Sequence, residues 1–276
     1  MLFLVFLLIV AAFMIFVVWR RQNLTRAYQQ GATALLEQRQ AVSLVAREQL
    51  PEVMQRYLEH VLVDPTPITA MHARQRGTFE LNNAWQPFRA HHTVTINPPA
   101  FRWTAGIRAG LGVDAQVVDY YQQQTGGLEA HLLGAFEITA VQDTTPLNTG
   151  ELMRYFAEMP WYPTGFLASN IRWHADATEQ QATATLSDGD SDSDVDATIT
   201  FFVSDNHEIE RIEGQRYKGT EADAQLEQWR GRFWDYQLID GVRVPTQGEV
   251  MWIENGEEQP YWRGNITDIT FYRDAP

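Results

Sequence analysis

The chain has 276 residues, room for one or two domains, with 21 Lys and Arg against 35 Asp and Glu and a formal charge of −14. That sign disfavours nucleic acid, whose phosphates are met by Lys and Arg. The absence of cysteine excludes disulfides, thiolate metal sites and a cysteine nucleophile. The average hides unlike parts: residues 20–49 carry five Arg and two Glu, a net +3, which leaves −17 for residues 50–276.

Leu2 to Trp19 is an unbroken run of 18 residues without a charge. As a helix it spans roughly 27 Å, close to the hydrocarbon thickness of a bilayer. Trp19 and then Arg20-Arg21 suit the interface that follows. A cleaved signal peptide calls for a basic start, a shorter apolar core and a small-x-small cleavage site, whereas this run ends in Val17-Val18-Trp19-Arg20. We therefore expect residues 1–22 to be an uncleaved anchor, with the bilayer as the partner of residues 2–19. The arginines on its C-terminal side favour a cytoplasmic domain, but single anchors can break that rule, so the side stays open.

Leu24, Ala27-Tyr28, Leu35-Leu36, Val42 and Val45 predict a helix over 23–48 whose weak apolar face suits a juxtamembrane stalk, residues 23–49. A second helix is expected to begin at Pro51, with one stripe formed by positions 53, 54, 57, 58, 61 and 62, and to end at Asp64-Pro-Thr-Pro67. From Arg74 the period changes to two. Strands are expected at 78–81, 88–96, 101–107, 115–121, 128–139, 171–175, 182–186, 195–203, 233–239, 242–253 and 261–272. Asp240-Gly241 and Asn255-Gly256 are hairpin signals, and Gly126-Gly127 reads as a further turn. One helix over 149–159, capped by Asn148 and stopped by Pro160, interrupts the strands. The class is mainly β (α+β): residues 50–276 form a large antiparallel meander, a half-barrel covered by one or two helices, behind a transmembrane helix. The lack of βαβ alternation excludes a doubly wound nucleotide-binding sheet.

Motifs for chemistry are few. Gly110-Leu-Gly112-Val-Asp-Ala115 matches a dinucleotide fingerprint in letters, but a strand-like stretch follows where a helix is needed. Asp188, Asp190, Asp192, Asp194 and Asp196 alternate as in a calcium loop, yet neither register supplies Gly at position six and Glu at position twelve. A solvated acidic loop is the reading we adopt, with calcium binding left open. The seven histidines show no metal spacing, and His91-His92 on a strand must point to opposite faces. No metal and no cofactor are expected. Eight of the nine tryptophans lie beyond residue 50, a load that ordinarily fills a core. A concave sheet with aromatics under a helix can also hold an apolar ligand. The ligand-binding candidates are Trp103, Arg154, Glu158, Trp161, Trp173 and Trp252, with Arg154 and Glu158 one turn apart and otherwise read as a surface ion pair.

The blocks Leu50-Pro-Glu-Val-Met-Gln-Arg-Tyr-Leu58, Leu147-Asn-Thr-Gly-Glu-Leu-Met-Arg-Tyr-Phe-Ala-Glu158, Trp161-Tyr-Pro-Thr164, Ile171-Arg-Trp173 and Asp240-Gly-Val-Arg-Val-Pro-Thr246 resemble an uncharacterised bacterial family of membrane-anchored domains. The resemblance implies one antiparallel-sheet domain behind an anchor in the bacterial inner membrane, and no activity. Strand count and helix placement also look like the half-barrels of periplasmic lipoprotein carriers. Three functions follow as expectations. The first is a non-catalytic, membrane-tethered module for a lipid or other apolar small molecule. The second is an envelope scaffold with an unspecified protein partner. The third is a hydrolase-type enzyme using Asp119 or Glu158 with His92 or His174.

Overall fold

The apolar run 2–19 passes through Arg20-Arg21 into the Gln- and Ala-rich stalk, and nothing between them breaks a helix. In a computed structural model, which describes residues 2–108, 113–189 and 195–273, Leu2–Gln38 is accordingly one helix, α1, about 55 Å long. Its first half is long and apolar enough to cross a membrane, and its side chains are exposed. The expected stalk helix ends ten residues early. Arg39–Ala46 continues without helix, and Val45 N donates to Leu167 O (2.8 Å). Backbone pairing with the domain there replaces the helical ladder.

The short helix α2, Glu52–Val61, starts one residue after Pro51 and buries Val53, Met54, Tyr57, Leu58 and Val61, five of the six stripe positions read from the sequence; Leu62 follows the helix as its C-cap and is half-buried. Six strands follow: β1 (Ala70–Leu81), β2 (Ala84–Thr95), β3 (Ala100–Arg108), β4 (Asp114–Gln122), β5 (Thr125–Leu132) and β6 (Phe136–Gln142). Helix α3 (Thr145–Ala157) and 3₁₀ turns at Met159–Trp161 and Pro163–Leu167 lead to the second series. It comprises β7 (Ile171–Trp173), β8 (Gln181–Asp188), β9 (Val195–Val203), β10 (Ile209–Lys218), β11 (Gln225–Ile239), β12 (Val242–Glu254) and β13 (Glu257–Tyr272).

All thirteen strands form one antiparallel sheet in the order β6-β5-β4-β3-β2-β1-β13-β12-β11-β10-β9-β8-β7. The meander half-barrel is as expected, with two strands more. Residues 128–139 divide at Leu133 and Gly134, both with positive φ, and 209–218, whose alternation is obscured by charge, pairs with β9 and β11. The β11–β12 and β12–β13 hairpins turn at Asp240-Gly241 and Asn255-Gly256, where all four residues have positive φ. The β4–β5 turn is instead Gln123-Gln124. Gly126 and Gly127 lie within β5, where a Cβ would strike the Leu147 carbonyl and the Tyr120 ring respectively. Helix α3 begins earlier than expected because Thr144 Oγ1, not Asn148, accepts from Leu147 N (3.3 Å), while Asn148 Oδ1 accepts from Gly126 N (2.8 Å).

The sheet's concave face packs against α2 and α3 in one continuous core. Its other face meets α1, where Tyr28 is buried against Val118 and Tyr120. Residues 109–112, which hold the glycines of the dinucleotide-like string, and 190–194, the centre of the acidic run, lie outside the described residues. The segment after the former is β4, a strand, and Asp188 at the start of the latter accepts from Tyr121 Oη (2.8 Å).

Candidate functional site

Antiparallel register brings His92, Trp103 and Asp119 onto one rung across β2, β3 and β4, all facing the concave side. Alternation sends His91 to the outer face, as the adjacent pair requires. Helix α3 lies over this rung and presents Glu151, Arg154 and Glu158 at spacings of three and four. Arg154 Nη1 donates to Asp119 Oδ2 (2.6 Å) and its Nε to Glu158 Oε1 (3.0 Å). The guanidinium lies 5.0 Å from the ring centres of Phe101 and Trp103. The pair expected at the surface is therefore largely buried, since the sheet curls over the turn of helix that carries it.

A second guanidinium completes the centre. Arg216 of β10 donates through Nε to Gly150 O (3.2 Å), through Nη2 to Glu151 Oε1 (3.4 Å) and through Nη1 to Tyr261 Oη (3.2 Å). Two guanidiniums thus face three carboxyls. Burial, reinforced by Asp119, pushes Glu151 up to about 7. Burial likewise raises Asp119 and Glu158 against the pull of Arg154. His92, fully buried, is held well below the usual histidine range by burial and by Arg154. Its Nε2 lies 3.3 Å from Glu158 Oε2, yet neither atom is in a hydrogen bond. A neutral imidazole in that place makes the contact a near approach and not an ion pair.

Of the sequence candidates, Trp103, Arg154, Glu158 and Trp161 meet here. Trp161 lies edge-on to His92 (6.0 Å), and its Nε1 donates to Pro245 O (3.1 Å). Trp252 stands one layer away, stacked on Tyr261 (5.9 Å). Trp173 belongs to another cluster, with Phe166 and Phe201. Asp119 and His92 join the centre; His174 instead contacts Thr185 Oγ1 (3.0 Å) near the β7 edge. Glu151, Arg216, Tyr261 and Gln75, whose Oε1 accepts from Trp103 Nε1 (2.8 Å), were not singled out from the sequence. For Glu151 the i, i+3, i+7 spacing with Arg154 and Glu158 was an available signal. For the others, contacts 28 to 66 positions apart left none. Asp119 Oδ1, Glu151 Oε2, Glu158 Oε2, Gln75 Nε2 and both His92 nitrogens are buried without a hydrogen-bond partner. Among the described residues, no group of three or more His, Asp or Glu is placed to hold a metal.

The aromatic concave side is filled by its own side chains, with Trp103, Phe101, Tyr121 and Phe156 almost wholly buried. Two cavities flank α1 on the outer face. The larger, about 450 Å³, lies between Thr25–Leu36 and strands β1 to β4, with Ala32, Leu36, Arg89, His91 and Thr93 among its walls. The smaller, about 220 Å³, lies nearer the apolar half of α1, between Arg20, Leu24, Ala27 and His131. Tyr28 stands between the two, its hydroxyl 3.2 Å from His131 Nδ1 and 3.4 Å from Glu129 Oε2.

A family model matches residues 48–271. The chain belongs to this family, one of unknown function (DUF6920). A comparison with curated proteins gives no match. Among solved structures the chain is similar to a LolA superfamily protein from Nitrosomonas europaea, with 12% identity over 81% of this chain and 94% of that one, TM-score 0.42. It is also similar to a putative outer membrane lipoprotein-sorting protein domain from Vibrio parahaemolyticus, at 11% identity over 82% and 93%, TM-score 0.43. A DUF1329 family protein from Desulfovibrio piger gives 10% identity over 79% and 91%, TM-score 0.35. Likeness at this level bears on neither ligand nor activity.

Proposed function

We propose that the protein is a single-pass, membrane-tethered binding module, non-catalytic, that holds a lipid or another apolar ligand beside its stem. In this reading residues 1–22 are the anchor, 23–49 the stalk and 50–276 the sheet domain. The observation that carries it is the cavity of about 450 Å³ between α1 and the outer face of the sheet. That volume falls in the range of roughly 300–1,000 Å³ usual for ligand pockets. One wall is the helix that leaves the bilayer, so a ligand moving out of the membrane meets the groove directly. A lone apolar helix suits a bacterial inner membrane, since the outer one is crossed by β-barrels.

The test is to purify the full chain in mild detergent and identify co-purifying molecules by native mass spectrometry, beside Ala32→Trp, which fills the groove. A species held by the wild type and lost from the variant supports the reading. A wild type that repeatedly carries nothing, and takes up no fluorescent fatty acid, ends it.

A second reading, acid–base catalysis at the α3 centre, is favoured by the partnerless carboxylate oxygens around Arg154. Its check is carbodiimide labelling of the native protein. Glu151 and Glu158 that stay unmodified for hours are closed to any substrate, and catalysis there is then excluded.

A further inference from the structure

Resting on the binding reading above, we infer that the groove beside α1 selects an anionic single-chain amphiphile drawn from the bilayer, its acidic head met by Arg89 and the His72–His91 pair and its chain lying along Ala32 and Leu36.

The first support is charge. Residues 50–276 carry −17, so a surface taken at random is acidic. Across β1, β2 and β3 the outer face runs His72, Thr93 and Arg102 on one rung, Arg74, His91 and Thr104 on the next, and Arg76, Arg89 and Gly106 on the third. Four arginines share these nine positions with two histidines, both held below the usual histidine range by burial, and with no carboxylate, so the arginines carry the charge. The acids bordering them are engaged: Asp268 lies 3.8 Å from Arg74, and Glu129 accepts from Tyr28. Arg89 lines the groove, is exposed, and makes no ion pair or hydrogen bond among the described residues. A local cation cluster on an anionic chain selects an anion over a neutral ligand.

The histidines add direction. His72 Nδ1 lies 2.9 Å from Thr93 Oγ1 and its Nε2 lies 3.4 Å from His91 Nδ1, which leaves His91 Nε2 to the groove. Across from this polar patch, the wall from Tyr28 to Leu36 contains no charged residue. A cationic patch facing an uncharged wall that offers Ala32 and Leu36 fits an amphiphile.

The source follows from depth. Thr25 lies six residues beyond Trp19, about 9 Å along the helix, and Leu36 lies about 25 Å beyond it. On the other side of Trp19, Phe13 stacks on Phe136 of β6 at 6.0 Å, and Ile138 beside it is exposed. The sheet edge therefore reaches alongside the apolar span, about 9 Å below Trp19. The smaller cavity at Arg20–Ala27 lies between that edge and the groove. A chain leaving the bilayer along α1 meets the smaller cavity first and, past Tyr28, the groove.

The test uses the full chain in amphipol with two fluorescent probes of equal length, a dansyl fatty acid and the matching dansyl fatty alcohol. The acid is expected to bind at least tenfold tighter. Arg89→Gln combined with His91→Gln should erase that preference by weakening the acid to the affinity of the alcohol, and both side chains are exposed enough to be replaced without unfolding. Ala32→Trp should weaken both probes. Inorganic phosphate at millimolar concentration should not displace the acid; displacement would assign the cations to a soluble anion and overturn the lipid assignment. Equal binding of the probes, both lost in Ala32→Trp, overturns the headgroup assignment alone. Binding of neither probe overturns it together with the binding function.

Discussion

Arg154 is the cation that two carboxyls under α3 share. Its guanidinium pairs with Asp119 and Glu158, and its side chain is 15% exposed. Replacement by Met keeps the apolar stem over Phe101 and Trp103 but leaves two carboxyls beneath α3 with no cation closer than Arg216. Breaking a buried pair from one side costs about 3–5 kcal/mol. Against a typical total of about 5–15 kcal/mol, that is a large part of the stability. At about 2–4 °C per kcal/mol for a domain of this size, Arg154→Met should melt roughly 6–20 °C below the wild type. The assay is thermal and urea unfolding of the full chain in detergent, followed by tryptophan fluorescence. It should include Asp119→Asn and the double variant, since the cycle isolates the pair. On the Asp119→Asn background the cost of losing Arg154 should shrink by at least about 1 kcal/mol. A loss under about 1 kcal/mol with no coupling would refute the reasoning, because it would mean that solvent already screens these carboxylates.

Four further outcomes are expected. Glu151, raised to about 7 from its ordinary 4.5, holds its proton more tightly folded than unfolded, so its contribution is lost as pH rises from about 4.5 to about 7. Glu151→Gln should therefore gain stability relative to wild type at pH 8 and not at pH 4, read from paired urea curves. Tyr28→Phe removes the contacts with His131 and Glu129 and should cost about 1 kcal/mol, visible as faster amide exchange over residues 24–38. Since the chain has no cysteine, Ile138→Cys carries a single spin label, and oxygen should relax it more than a water-soluble nickel complex does if β6 enters the bilayer. Gly77→Ala places a Cβ 1.9 Å from the Arg263 carbonyl and should disrupt β1–β13 pairing, with a melting loss larger than that of Gly106→Ala, which meets nothing within 4 Å.

Local pattern alone determined a good part of this protein. The apolar run 2–19, the stripe of α2, the two positive-φ hairpins and the period-two stretches are each written within a dozen residues, because turn chemistry and side-chain alternation act at that range. Strand 209–218 escaped because Glu and Arg occupy both of its faces, and 128–139 looked continuous because apolar residues continue through the turn at Leu133-Gly134. His91 and His92 were rightly sent to opposite faces by pleating, but which face was buried depended on where α3 would lie. Tertiary structure decided the sites. Arg154 and Glu158 are one turn apart on any helix; they became a buried centre only when β4 brought Asp119 and β10 brought Arg216 beneath that turn. The groove likewise depends on α1 continuing beyond its apolar half and lying on the outer face of the sheet. A −14 chain then keeps a cationic patch beside its stem, because antiparallel register, which no composition records, gathers Arg74, Arg76, Arg89 and Arg102 from three strands.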